Sequence, residues 1–283
     1  MRILFVSHSS VVRSYQQKLC ELAKFPGVEV HLLVPDRWIE GNRLVQASGP
    51  LSDEVSLHVE KAYLVGRVGG YFYRPRALTR LVKRLKPDLV HIEEEPWSVA
   101  CWQAIRGAEA IGARALVFTW ENIWRRYRWI SEKILKYVLE HAAHIIAGNE
   151  EGKGLLLKRG FRKGISVFPQ YGVDENAFKR KEVSPLKNKL GLSATVVGYI
   201  GRLEPSKGVD LLLRAIARID SRVSCLILGE GPEKKKLVTL ADELGIESRT
   251  VFHGGVPNDK VPDYLNCLDL LVLPSRTTAQ WKE

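Results

Sequence analysis

Hydrophobic and polar positions along the chain fall into short apolar runs that alternate with segments of helical period. Arg2-Ile-Leu-Phe-Val6 is a continuous apolar run, the pattern of a strand buried on both faces, and it gives way at Ser7-His8-Ser9-Ser10 to a helix expected over 11–25. The same reading predicts strands at 28–34, 57–64, 87–92, 115–119, 144–147 and 165–168. Helices are expected at 76–85, 97–111 and 130–141, with another running through Leu157. Strands alternating with helices imply parallel crossovers and a doubly wound sheet.

Residues 173–192 break this rhythm: they are polar, charged and interrupted by Pro185, so they are expected to form a linker. Beyond them the alternation resumes with strands at Thr195–Ile200, 224–228, 250–252 and 269–273. The expected fold class is therefore α/β, two Rossmann-like doubly wound domains over 1–182 and 183–283, facing a cleft. Ligands of such sheets bind beyond the carboxyl ends of the strands. The second half supplies about four strands, against the ~5–6 usual for such a sheet, and stops without a closing helix, so a continuation or a truncated chain is expected.

Composition narrows the classes. At 283 residues the chain is long for one domain and comfortable for two. No apolar run approaches the ~20 residues of a membrane span, and the opening run is too short for a signal-peptide core, which gives a cytoplasmic expectation. The four cysteines, Cys20, Cys101, Cys225 and Cys267, are scattered without metal or redox spacing and are expected as buried thiols. A net charge of +11 calls for anionic partners, but no nucleic-acid signature accompanies it, so nucleic acid ranks last among them.

The segment with the most chemistry is Gly198-Tyr-Ile-Gly-Arg-Leu-Glu-Pro-Ser-Lys-Gly208, which joins a strand end to a helix over 209–219. Glycines allow close backbone approach, a helix start offers N–H groups, and Arg202 and Lys207 add two positive charges. Phosphate binding is the functional reading; a loop with solvated charges is the plain one. The spacing matches neither a P-loop nor the dinucleotide fingerprint.

These residues resemble those of the family 4 glycosyltransferases, retaining enzymes of the GT-B fold. Gly201-Arg202-Leu-Glu-Pro-Ser-Lys207-Gly208, Gly229-Glu-Gly231-Pro232, Phe252-His-Gly254-Gly-Val256 and Leu271-Val-Leu-Pro274-Ser275 follow one another as the family's motifs do. The first half is similar more loosely, through its opening strand, 87–91 and the turns at 149–150 and 172–174. The resemblance implies retaining transfer of a sugar from a UDP- or GDP-type donor to a glycan or lipid-linked acceptor. It also implies a role in cell-envelope glycan synthesis, with neither cofactor nor metal.

Carried over residue by residue, Arg202, Lys207 and Glu283 are the expected catalytic group, Glu283 being the first Glu of a Glu-x7-Glu motif whose second member lies past the end of the sequence. The chain as given is accordingly expected to be inactive or severely impaired. Ser9, Gly201, Gly229, Gly231, His253, Gly254 and Ser275 are expected at the donor, and His8, Glu94, Glu121 and Asn122 on the acceptor side. The family's Gly-Gly pair in the first loop is replaced by 7–10, and its His after 115–119 by Trp120-Glu121-Asn122. A non-catalytic sugar-nucleotide-binding protein and a sugar-nucleotide epimerase on the same fold are the alternatives.

Other residues have competing readings. His91 is expected in the core, and Glu93, Glu94 and Glu95 either bind an acceptor or form a solvated turn. Tyr71-Phe-Tyr-Arg74-Pro-Arg76 and Trp124-Arg-Arg-Tyr-Arg-Trp129 interleave aromatics with cations, which suits an anionic membrane surface; a solvated basic face over buried aromatics is the alternative.

Overall fold

The structure, a computed structural model, describes residues 1–40, 43–193, 195–219 and 221–278. It divides into two compact units, Met1–Gly172 and Val173–Glu283. In chain order the first contains β1 (Arg2–Val6), α1 (Gln17–Ala23), β2 (Glu29–Pro35), β3 (Arg37–Glu40), β4 (Arg43–Gln46), β5 (Val55–Glu60), β6 (Ala62–Tyr63) and β7 (Phe72–Tyr73). It continues with α2 (Ala77–Leu85), β8 (Leu89–Ile92), α3 (Val99–Glu109), β9 (Arg114–Thr119), α4 (Trp129–His141), β10 (His144–Ala147), α5 (Glu150–Lys158) and β11 (Gly164–Val167). The second contains α6 (Ser184–Lys189), β12 (Thr195–Ile200), α7 (Val209–Ile216), β13 (Val223–Leu228), α8 (Lys234–Glu243), β14 (Thr250–His253), α9 (Val261–Asn266) and β15 (Leu270–Leu271).

The first unit is built on a seven-stranded sheet, ordered β11-β10-β9-β8-β1-β2-β5 and parallel throughout. Its central strands are continuous apolar runs because helices cover both faces; Leu4, Val6, Leu32, Leu33, Val90, Ile92 and Val117 are all buried. Two of the helix starts, those of α3 and α5, are marked by side chains: Ser98 accepts from Cys101 N at 3.1 Å, and Asn149 from Gly152 N at 2.8 Å.

The helix expected over 11–25 is shorter. Two 3-10 turns, Ser9–Val11 and Arg13–Gln16, precede α1, with Val12 extended between them. Buried Gln16 explains the interruption: its amide donates to Ser10 O at 2.8 Å and accepts from Leu51 N at 2.9 Å, filling backbone positions a regular helix would not present. The antiparallel pairs β3–β4 and β6–β7 were not expected from the pattern.

The second unit carries a four-stranded parallel sheet, β14-β13-β12-β15. Helix α7 buries Val209, Leu212, Leu213 and Ile216, the stripe its spacing predicts, each contributing roughly 1.5–3 kcal/mol. Residues 179–181 belong to this unit because they pack on α9. Lys181 N donates to Asn266 Oδ1 at 3.0 Å, Asn266 Nδ2 donates to Lys179 O at 2.9 Å, and Lys181 pairs with Asp263. The boundary thus falls at Gly172 and Val173, ahead of the expected linker's midpoint.

Candidate functional site

Three loops leave the carboxyl ends of β12, β13 and β14 and stack on one another. Gly201 N donates to Leu228 O and Gly229 N to His253 O, both at 3.0 Å, so the ladder runs one residue past the strands. Leu203 N then donates to Glu230 O at 2.9 Å. A Cβ on Gly229 would stand 1.9 Å from Gly201 O, and one on Gly231 2.3 Å from Leu203 O. The sequence suggested that these glycines admit a ligand. The close approach they permit is to the neighbouring loop, which gives the edge its shape.

On that edge Arg202 is exposed and ion-paired with Glu204 at 3.1 Å, whereas Lys207 is half-buried and closes the 3-10 turn Pro205–Lys207. Gly208 follows in the left-handed region, φ 65°, and caps α7 with no side-chain acceptor. The first-turn N–H groups of α7 are therefore not taken by a capping side chain.

The loop is held from behind by Arg276, which the sequence reading did not single out. Its guanidinium grips Asp210 through two bonds of 2.7 and 2.6 Å and donates to Pro205 O at 3.0 Å, while its N–H donates to Ser206 O at 2.8 Å. Hydrogen bonding to Arg276 holds the Asp210 carboxyl below its ordinary value. Between Pro274 and Arg276, the Ser275 hydroxyl is buried with no hydrogen-bond partner among the described residues. A buried hydroxyl without a partner costs about 1–3 kcal/mol, which a ligand could relieve.

His253 has less freedom than its motif suggested. Its Nδ1 lies 2.9 Å from Gly254 O, so Nδ1 carries the proton and Nε2 accepts from Tyr264 OH at 3.1 Å. Gly254 packs against Glu230, which pairs with Lys234 at 2.8 Å. Glu283 lies outside the described residues.

In the first unit, the carboxyl ends of β1, β8 and β9 gather a different set. Glu94 is 1% exposed; its Oε1 accepts from His8 N at 2.8 Å and from Tyr71 OH, and its Oε2 lies 2.7 Å from His8 Nδ1. Trp38, from β3, packs on the His8 ring at 4.3 Å. Glu94 is thus engaged by its own chain and positions His8. Ser9 is also engaged, its Oγ 2.9 Å from Tyr171 OH.

The acidic turn is not solvated. Glu93 is buried and paired with Lys18, whose own pKa is lowered by burial against the raising effect of Glu93. The enclosed carboxyl of Glu95 accepts from Thr119 Oγ1 at 2.6 Å and Trp120 N at 3.1 Å. Burial pushes its pKa up to about 7, the two bonds opposing the shift.

Glu121 is likewise internal: it accepts from Tyr127 OH and pairs with Arg159 at 3.4 Å, burial raising its pKa more than these partners lower it. Asn122 follows half-buried on the same turn. His91 is half-buried against Phe5, with its Nε2 enclosed and without a hydrogen-bond partner among the described residues, and burial lowers its pKa to about 4.

The family description "Glycosyltransferase Family 4" matches residues 11–175, and "Glycosyl transferases group 1" matches residues 181–282. The chain belongs to glycosyltransferase family 4, and its fold is GT-B.

Among curated relatives it is 33% identical over 100 residues to a 2-deoxystreptamine glucosyltransferase of Streptomyces kanamyceticus, a stretch covering 33% of this chain and 26% of that one. It is 30% identical over 156 residues to the phosphatidylinositol N-acetylglucosaminyltransferase GPI3 subunit of Saccharomyces cerevisiae, covering 53% and 34%. The chain thus spans between a quarter and about a third of the curated relatives it matches. Among solved structures, Anabaena HepE in complex with UDP superposes with a TM-score of 0.70 at 18% identity, over 97% of this chain and 74% of that one.

No helix among the described residues is long and apolar enough to cross a membrane.

Proposed function

We propose that this chain moves a sugar, with retention of configuration, from a nucleoside-diphosphate-sugar to an acceptor, the β12–α7 loop receiving the diphosphate. The observation that carries the reading is the edge formed by Arg202, Lys207, the side-chain-free cap of α7 and the unpartnered hydroxyl of Ser275. Arg202 pairs with the half-exposed carboxylate of Glu204, a contact worth roughly 0–1 kcal/mol, so a phosphate able to take two bonds from its guanidinium displaces Glu204 readily.

As the glycosidic bond breaks, negative charge grows on the leaving phosphate. Cations and N–H groups already fixed by the Arg276 anchor stabilise that state more than the ground state. In this reading the two side chains do the work of a divalent ion, and neither metal nor cofactor takes part. The acceptor is a glycan or a lipid-linked precursor, a class supported by the phosphatidylinositol-directed relative. Four buried free thiols fit a reducing compartment and support the cytoplasm as its place of work.

Calorimetric titration with UDP, GDP and ADP tests the site. One of them should bind, and Arg202→Ala should weaken it about ten- to a hundredfold, the loss of a charge-assisted bond. Undiminished binding in Arg202→Ala, Lys207→Ala and Ser275→Ala would overturn the diphosphate assignment.

A further inference from the structure

The segment from Trp120 into the first turn of α4 combines features that a solvated loop does not need. Trp124 is 47% exposed, Trp129 65% and Ile130 51%, and Arg126, Arg128 and Lys133 are exposed beside them in sequence. The plain alternative, a basic face over buried aromatics, requires these rings to be inside; they are outside.

Acidic groups of the same segment are turned to internal partners. Glu132 accepts from Tyr127 N at 2.9 Å, and Glu121 is taken by Tyr127 and Arg159. The outward charge is therefore basic.

We propose that the face formed by Trp124, Arg126, Arg128, Trp129, Ile130 and Lys133 seats the protein on an anionic bilayer surface. Indole rings settle at the headgroup level of a bilayer, Ile130 gains by leaving water, and the cations meet lipid phosphates. A strand of nucleic acid fits less well. Lys133 lies 5.0 Å from the Trp129 ring centre, and Lys158 and Arg159 each lie 4.6 Å from that of Trp124, so cations already stand where a base would stack. A second copy of the chain is opposed by its own charge of +11.

Position adds to the argument. This segment leaves β9 at Thr119 and Trp120, the residues that hold Glu95, so a bilayer on this face lies beside the polar edge of the first unit. The proposal rests on exposure and charge in the first unit and not on donor chemistry. It deepens the acceptor reading toward a lipid, and its test needs no sugar donor.

The test is cosedimentation of the full chain with vesicles of phosphatidylcholine alone or mixed with phosphatidylglycerol. Binding is expected only to the mixed vesicles and should weaken as salt rises. Each cation removed should cost about fivefold, so the Arg126→Ala, Arg128→Ala, Lys133→Ala triple variant should bind on the order of a hundredfold more weakly. Brominated phosphatidylcholine in the mixed vesicles should quench indole fluorescence, and Trp129→Ala should remove much of that quenching. Circular dichroism confirms that the variants are folded.

Equal sedimentation with both vesicle types, or a triple variant that binds like the parent, overturns the proposal. So does displacement from mixed vesicles by oligothymidylate at equal phosphate, which would assign the face to nucleic acid. Because calorimetry with nucleotides is independent of vesicles, failure here is distinguishable from failure of the diphosphate site.

Discussion

The carboxyl edges of the two sheets are built from the same architecture and finished in opposite ways. In the first unit, carboxylates sit inside and spend their acceptors on the chain itself: Glu94 on His8 and Tyr71, Glu95 on Thr119 and Trp120, Glu121 on Tyr127 and Arg159. In the second, glycines close the gaps between loops, cations lie at the surface, and Ser275 keeps an unanswered hydroxyl. At the first edge the carboxylates of Glu94, Glu95 and Glu121 are already engaged, although Glu93 Oε2 is buried without a partner among the described residues, whereas at the second the unpartnered group is a neutral hydroxyl beside exposed cations. Side chains that a sequence marks as reactive can therefore be scaffolding where their partners are already supplied.

The largest effect should come from Glu94→Ala. It strands the His8 N–H and the Tyr71 hydroxyl in a buried place and should cost about 3–5 kcal/mol in chemical denaturation. A loss below about 1 kcal/mol would mean that the first edge is not held by this network. Gly229→Ala probes the other edge. Its methyl would meet Gly201 O, and a loss of about 3 kcal/mol is expected by the same measurement, with weakened nucleotide binding. A neutral result would show that loop stacking does not set the shape of the site.

Glu95 gives a signal spread over pH rather than a single loss, and the most diagnostic one. Its carboxyl is raised from 4.5 to about 7, so the folded state holds a proton that the unfolded state releases. That contribution is full below pH 4.5 and is lost as pH rises to about 7. Urea midpoints across this window should fall for the parent, and Glu95→Gln should remove that part of the slope. A slope unchanged by the substitution would place the carboxyl in water.

Much of the fold was legible because parallel strands buried on both faces read as unbroken apolar runs, and α7 shows its stripe plainly. What escaped was whatever depends on distant partners. The pair β3–β4 is too short for its alternation to stand out, yet it supplies Trp38 to the His8 ring. Val12 breaks the expected first helix because Gln16 bonds to Leu51, thirty-five positions away. In the candidate site, Arg202, Lys207 and Ser275 were singled out from local spacing alone. That spacing could not reveal Arg276, whose role depends on Asp210, Pro205 and Ser206 some seventy positions earlier, nor that Glu94 faces inward.

The tether from Arg276 to the β12–α7 loop has a bearing on how the protein is made. Asp210 and its clamp are separated by sixty-six positions, so this turn acquires its final form only once residue 276 has left the ribosome. Until then Pro205 O, Ser206 O and the Asp210 carboxylate lack the partner that fixes them, so the turn is set late relative to the strand and helix it joins.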